Sequence, residues 1–167
     1  MLQRNVEVVR EVYSWILGRL TVVGWVDVGL IAPYIVVAIA LLLTMRRTLD
    51  VMAVGDEEAT TLGVRVARAR MIVVVAASLG TAAAVAVSGL IGFVGIIVPH
   101  TVRLMVGGSY RRILPMSMIL GAAFLVATDL LARTLVSPAE LPIGVITALI
   151  GAPFFLIVLR TNRSGAS

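Results

Sequence analysis

Five apolar stretches dominate this 167-residue sequence: Val26 to Met45, Met71 to Val87, Leu90 to Val106, Ile113 to Leu131 and Ile143 to Leu159. Each is close to the roughly 20 residues that carry a helix across a bilayer. A segment in hydrocarbon must satisfy its own backbone hydrogen bonds, so the runs predict five transmembrane helices. Barrel strands would alternate apolar and polar over about ten residues, whereas these runs are apolar on every side. With 60% hydrophobic residues, the chain also exceeds what a water-facing surface allows. It reads as an all-α polytopic integral membrane bundle, a single helical domain without internal repeats.

The formal charge of +5 would suggest a nucleic-acid partner until the basic residues are placed. If the spans alternate, Arg46, Arg47, Arg65, Arg68, Arg70, Arg103, Arg111, Arg112, Arg160 and Arg163 share one side. Arg4, Arg10, Arg19 and Arg133 take the other. Basic residues flanking spans face the cytoplasm, so the charge reports topology: C-terminus cytoplasmic, N-terminus outside, no nucleic acid, membrane lipid all round. Residues 1–25 lack the basic and apolar regions of a secretion signal that could export such an N-terminus. An odd number of spans is therefore expected upstream, which makes the chain the C-terminal half of a longer membrane protein.

Val6, Val9, Tyr13, Ile16, Leu17 and Leu20 recur at helical spacing among Arg4, Glu7, Arg10 and Glu11, predicting an amphipathic segment at the outer interface within residues 1–25. Trp15 and Trp25 suit headgroup depth. The longest connection after it, residues 46–70, is dense in both charges. Within it Asp56, Glu57 and Glu58 open, and Gly63 closes, about two turns of helix. A solvated connection and a docking element both fit that pattern. Gly89, Gly92 and Gly95, three apart, predict one drifting helix face that lets a backbone pass close by.

Several chemistries are excluded. The sequence has no lysine, so it lacks the P-loop residue that reaches terminal phosphates, and any ATP must be hydrolysed by a partner. Schiff-base chemistry fails for the same reason. Cysteine is absent, which removes disulfides and thiolate metal sites. Serine proteolysis by Ser88 and His100 would place nucleophile and base about 18 Å apart on one helix, where about 3 Å is needed. Asp129 is the acidic residue deepest in a span, and Arg133 follows at i+4, which favours a structural pair over a proton relay. An ion-coupled secondary transporter or channel using Asp129 stands as the alternative.

Gly92-Phe-Val-Gly-Ile-Ile-Val-Pro-His100, Arg103-Leu104, Arg111-Arg-Ile-Leu-Pro115, Asp129-Leu-Leu-Ala-Arg133, Glu140-Leu-Pro-Ile-Gly144 and Ala148-Leu-Ile-Gly-Ala-Pro153 together closely resemble the permease family of ABC importers for iron-siderophores, haem and cobalamin. Tyr13-Ser-Trp-Ile-Leu-Gly18, Gly55-Asp-Glu-Glu-Ala59 and Leu62-Gly63 fit the same pattern in the same order. The resemblance implies a permease without enzymatic activity, cofactor or metal of its own, in a bacterial cytoplasmic (inner) membrane. It implies that these residues correspond to helices six to ten of about ten. The implied partners are ATP-binding cassette ATPase subunits, an extracytoplasmic substrate-binding protein and a second permease subunit. Gly55, Asp56, Glu57, Ala59, Leu62 and Gly63 match the ATPase-coupling loop, and Arg133 matches a binding-protein docking position. Gly89, Gly92, Gly95, Pro99, Gly144 and Gly151 become candidates for the translocation path or for packing.

Overall fold

The computed structural model describes residues 24–134 and 141–163, together with 9, 12, 13, 15–18 and 20; the side chains of 159 and 161–163 are left aside. Arg4, Glu7, Arg10, Glu11 and Glu140, named above, lie outside the described residues. Among those described, α1 (Trp25–Met52), α2 (Asp56–Thr61), α3 (Val66–Ser88), α4 (Val94–Val106), α5 (Tyr110–Thr134) and α6 (Ile143–Arg163) follow in chain order. Of these, α1, α3 and α5 are long and apolar enough to cross a membrane. Helix α4, with 13 residues, is shorter than the span expected over Leu90 to Val106, whereas α6, with 21, runs past the expected end at Leu159.

Helix lengths follow from where breakers stand. The 28 residues of α1 reach about 42 Å, more than the roughly 30 Å of bilayer hydrocarbon. No glycine or proline lies between Pro33 and Gly55, so the helix continues past Met45 and carries Arg46, Arg47 and Asp50 on its last turns. Much of the expected 46–70 loop is therefore helical, and the true connection is 53–65. At the other end of α1, the Asp27 carboxylate accepts the Gly24 N–H at 3.0 Å, satisfying one donor at the helix start.

The third apolar run departs most from expectation. Its helix begins at Val94, because residues 89–93 are not helical: Gly89 has φ +69° and Phe93 φ +65°. Gly89, Gly92 and Gly95 therefore do not share a helix face as their spacing predicted. The Phe93 carbonyl accepts N–H bonds from Ile96 and Ile97 at 3.0 and 2.9 Å, and the Gly92 carbonyl accepts that of Val94 at 2.9 Å. A γ-turn centred on Phe93 thus launches α4. Thirteen helical residues span only about 20 Å, less than the roughly 30 Å of bilayer hydrocarbon.

Cα packing divides the chain into two units. One comprises Val23–Val87 and Thr101–Ile119. Here α2 packs on α1, and a Cβ at Gly80 of α3 would lie 3.1 Å from that of Ala38, so helices α1 and α3 touch through their smallest residues. Ala38, Ala59, Ala69, Ala76, Val102 and Ile113 are its buried apolar residues. The other unit comprises the described residues of Met1–Val22, Ser88–His100 and Leu120–Ser167. It buries Ile97, Val98, Ala132, Ile143 and Ile146 with Thr128 and Thr147, whose hydroxyls donate to the Phe124 and Gly144 carbonyls of their own helices.

Gly80→Leu should force α1 and α3 apart, lowering the thermal unfolding midpoint in detergent by the equivalent of about 1–3 kcal/mol. Ala82→Leu, on an exposed face of the same helix, should stay within about 0.5 kcal/mol of the native chain.

Candidate functional site

Between α1 and α3 the chain builds a compact knob. Gly55 (φ +154°) turns the backbone into α2, whose first turn is Asp56, Glu57 and Glu58. Three carboxylates there lie at the positive end of the helix dipole. At the far end the Gly63 N–H donates to the Thr60 carbonyl at 2.9 Å and the Val64 N–H to the Ala59 carbonyl at 3.0 Å, with Gly63 at φ +82°. These two bonds are the Schellman pattern, which ends a helix on a left-handed residue and satisfies its last carbonyls. Both ends of the expected short helix are thus fixed by local chemistry.

Tertiary packing then sorts the six coupling-loop candidates. Ala59 is 0% exposed and serves as the footing of α2. Asp56 Oδ2 accepts Arg70 Nη2 at 2.8 Å, joining the first turn of α2 to α3. Both partners are more than half exposed, so this pair contributes about 1 kcal/mol or less and acts chiefly as a positional tie. Thr60 and Thr61 turn their hydroxyls back onto helix carbonyls. The Glu58 carboxylate folds back over Gly55, so what remains to be presented outward is Glu57 and Leu62, the last 72% exposed, with Val54 at 73%. Glu57 thus stands exposed near two exposed aliphatic side chains.

A second tie in the same unit involves a residue that the sequence reading passed over. Asp50, in the last turn of α1, accepts the Ser109 hydroxyl at 2.8 Å and the Tyr110 N–H at the start of α5. Its signal in the sequence was slight: an acidic residue beyond a span, and a Gly-Gly-Ser turn whose serine suits a helix N-cap.

In the other unit, backbone meets backbone. The first N–H groups of α6, on Ile143 and Gly144, donate to the Gly18 and Leu17 carbonyls at 3.2 and 3.1 Å. A Cβ at Gly144 would collide with the Leu17 carbonyl, one at Gly89 with the Trp15 carbonyl, and one at Gly18 would lie 2.6 Å from the Leu90 carbonyl. Gly151 is buried beneath the Phe93 side chain. Gly89, Gly144 and Gly151 are therefore packing glycines. Gly92 and Gly95 differ: both are exposed, with nothing within 4 Å of a built Cβ. With exposed Ile96 and half-buried Pro99 they form an exposed strip to which the two glycines add no side chain.

Near the end of α5, Arg133 Nε donates to Asp129 Oδ2 at 2.8 Å, the expected i,i+4 pair. The carboxylate is 25% and the guanidinium 45% exposed, so the pair leaves the two Nη groups for a further acceptor. His100, proposed above as a base only to be excluded, stacks edge-on against Phe154 at 5.6 Å between centroids.

Residues 1–161 match the FecCD transport family. The chain belongs to that family. It is 49% identical over 155 residues to the cobalamin import system permease protein BtuC of Halobacterium salinarum, covering 93% of this chain and 42% of that protein. To the Fe(3+) dicitrate transport system permease protein FecD of Escherichia coli it is 43% identical over 163 residues, covering 98% and 51%. A solved structure described as an inward-facing conformation of a metal-chelate type ABC transporter matches with a TM-score of 0.84 at 34% identity, over 91% of this chain and 49% of the other. The FecCD chain described here spans about half the length of the curated relatives it matches.

The sorting of glycines has a direct consequence for stability. Gly89→Ala and Gly144→Ala should each lower stability in detergent by about 2 kcal/mol or more, through backbone collision and, at Gly89, positive φ. Gly92→Ala should leave the unfolding midpoint unchanged to within about 0.5 kcal/mol.

Proposed function

We propose that this chain is the C-terminal half of a permease subunit of an ABC importer for an iron chelate, haem or corrinoid. Its apolar helices would correspond to helices six to ten of the full permease. The α2 knob and the C-terminus would face the cytoplasm, and the N-terminus and Arg133 the outside of a bacterial inner membrane. The single observation carrying this reading is the α2 knob itself: a helix ended by Gly63, footed on Ala59, and presenting Glu57 and Leu62 outward in a FecCD family chain. A rigid projection suits a partner that closes and opens on ATP, because it passes on a rigid-body displacement without absorbing it. Relatives are named as permeases for cobalamin and Fe(3+) dicitrate, which supports that ligand class.

The ATPase subunits would seat on the knob, a second permease subunit would complete the pore, and a substrate-binding protein would dock at Arg133. Asp129 holds Nε and leaves the Nη groups, which would suit a carboxylate of that protein. The strip through Gly92, Gly95 and Pro99 would face the translocation path, where a smooth wall offers a bulky chelate little to bind. Substrate then passes without bond chemistry, the permease shifting between outward- and inward-open states as ATP binds and is hydrolysed elsewhere.

Co-purification in mild detergent with the ATPase encoded nearest to it, the upstream half supplied, tests the docking assignment. The native chain should retain the ATPase and Gly63→Trp should lose most of it. Nothing lies within 4 Å of a Cβ at Gly63, but its φ of +82° strains any side chain, so the unfolding midpoint of Gly63→Ala, which carries the strain without the bulk, is the control: Gly63→Ala should keep the ATPase. Retention of the ATPase by Gly63→Trp at the native level would remove the knob as the docking element.

A second test separates an ATP-driven importer from an ion-driven carrier. In vesicles supplied with cobalamin or ferric dicitrate, Asp129→Asn should keep uptake within about threefold of native, since a partly exposed pair contributes little. Arg133→Glu should weaken binding-protein affinity at least about tenfold. Abolition of uptake by Asp129→Asn would favour an ion site instead.

A further inference from the structure

Asp50 makes two tertiary hydrogen bonds across a sequence gap of 59 and 60 residues, and nothing in the proposed transport path or docking surface uses it. Its position is what matters. Asp50 lies in the last turn of α1, just before the Ala53–Gly55 link into α2, and α2 packs back on α1 through fully buried Ala59. A displacement of the knob is therefore passed to the end of α1.

The acceptor side is equally well defined. Ser109 precedes α5, and its carbonyl accepts the Arg112 and Ile113 N–H groups at 3.0 Å each. The Asp50 carboxylate takes both the Ser109 hydroxyl proton and the Tyr110 N–H, so an α1 residue supplies an N-terminal cap to α5. The corner that it grips has contacts of its own. Gly107 (φ +85°) closes α4 by donating to the Arg103 carbonyl at 3.0 Å. The Arg103 guanidinium then reaches across the two-glycine link to Tyr110, 3.4 Å from its hydroxyl and 5.7 Å from its ring centroid. Charge-assisted bonds at a partly buried site hold position more firmly than exposed ion pairs such as Asp56–Arg70.

We infer that Asp50 is a positioning residue that transmits displacement of the α2 knob to the α4–α5 corner, through its paired bonds to Ser109 and Tyr110. This rests on the reading of α2 as the ATPase-contacting element. The chain then has two outputs from one push: α3 directly, through the link from α2 and the Asp56–Arg70 tie, and α5 through Asp50. Charge and geometry both matter, so asparagine, which keeps the acceptor but not the charge, should act in part.

Because the native sequence has no cysteine, a nitroxide at Arg111→Cys, exposed in the first turn of α5, is the chain's single label. The assembled permease with its ATPase is compared nucleotide-free and trapped with ATP and vanadate. In the otherwise native background the spectrum should change on trapping. In Asp50→Ala the ATPase should remain bound at the native level while the spectral change falls at least about threefold, and Asp50→Asn should restore more than half of it. A full spectral change in Asp50→Ala, or none in the native background with ATPase bound, overturns the inference. If no ATPase binds the native chain, it is the importer reading that fails, and this inference with it. Should Asp50→Ala not assemble, Ser109→Ala decides, since it keeps the Tyr110 bond: a change reduced by about half upholds the role, and an undiminished one overturns it.

Discussion

A peptide group in hydrocarbon has no water to turn to, and in this chain almost every structural choice follows from where its N–H and C=O groups find partners. Within α1, α3 and α5 the answer is the helix itself, and side-chain identity hardly matters beyond being apolar. Where the chain leaves the helix inside an apolar run, at residues 89–93 and at the start of α6, the partners must come from elsewhere. Carbonyls of Gly18 and Leu17 then serve Ile143 and Gly144 respectively, and those of Gly92 and Phe93 serve the start of α4. Backbones can approach that closely only without a Cβ, which is why Gly18, Gly89 and Gly144 converge there.

That constraint also divides rigid parts from candidate working parts. The junction of Gly18, Gly89 and Gly144 is tight, and the Phe93 backbone stays in its unfavourable left-handed region beside a ring seated on Gly151. Immediately after it, Gly92 and Gly95 stand open. One short motif therefore supplies an anchor and a smooth surface within a few residues, and a substitution scan by residue type alone would confuse the two.

The knob between α1 and α3 follows a different logic, being governed by polar chemistry. Its acidic first turn and glycine end were legible in the sequence, because dipole and left-handed cap are local rules that act within a few residues. So was the Asp129–Arg133 pair, fixed by one helical turn. What sequence reasoning could not assign was which acidic residue is presented and which is spoken for. Asp56 and Glu57 are neighbours with the same charge, yet Asp56 is held by Arg70 fourteen residues away. Asp50 was invisible for the same reason, its partners being brought to it by the return of α4 and α5.

By itself, then, the sequence determined a membrane-embedded helical chain, its apolar runs, the acidic short helix and the family likeness carried by separated motifs. Each of these depends on composition or on contacts within a turn or two. The tertiary structure alone decided that Leu90 and its neighbours are non-helical and that equally spaced glycines have unequal duties. It also decided that Asp50 caps a helix remote in sequence. These outcomes turn on how closely two backbones approach and on which distant donor reaches a carboxylate, and neither quantity is encoded in spacing along a single strand of residues.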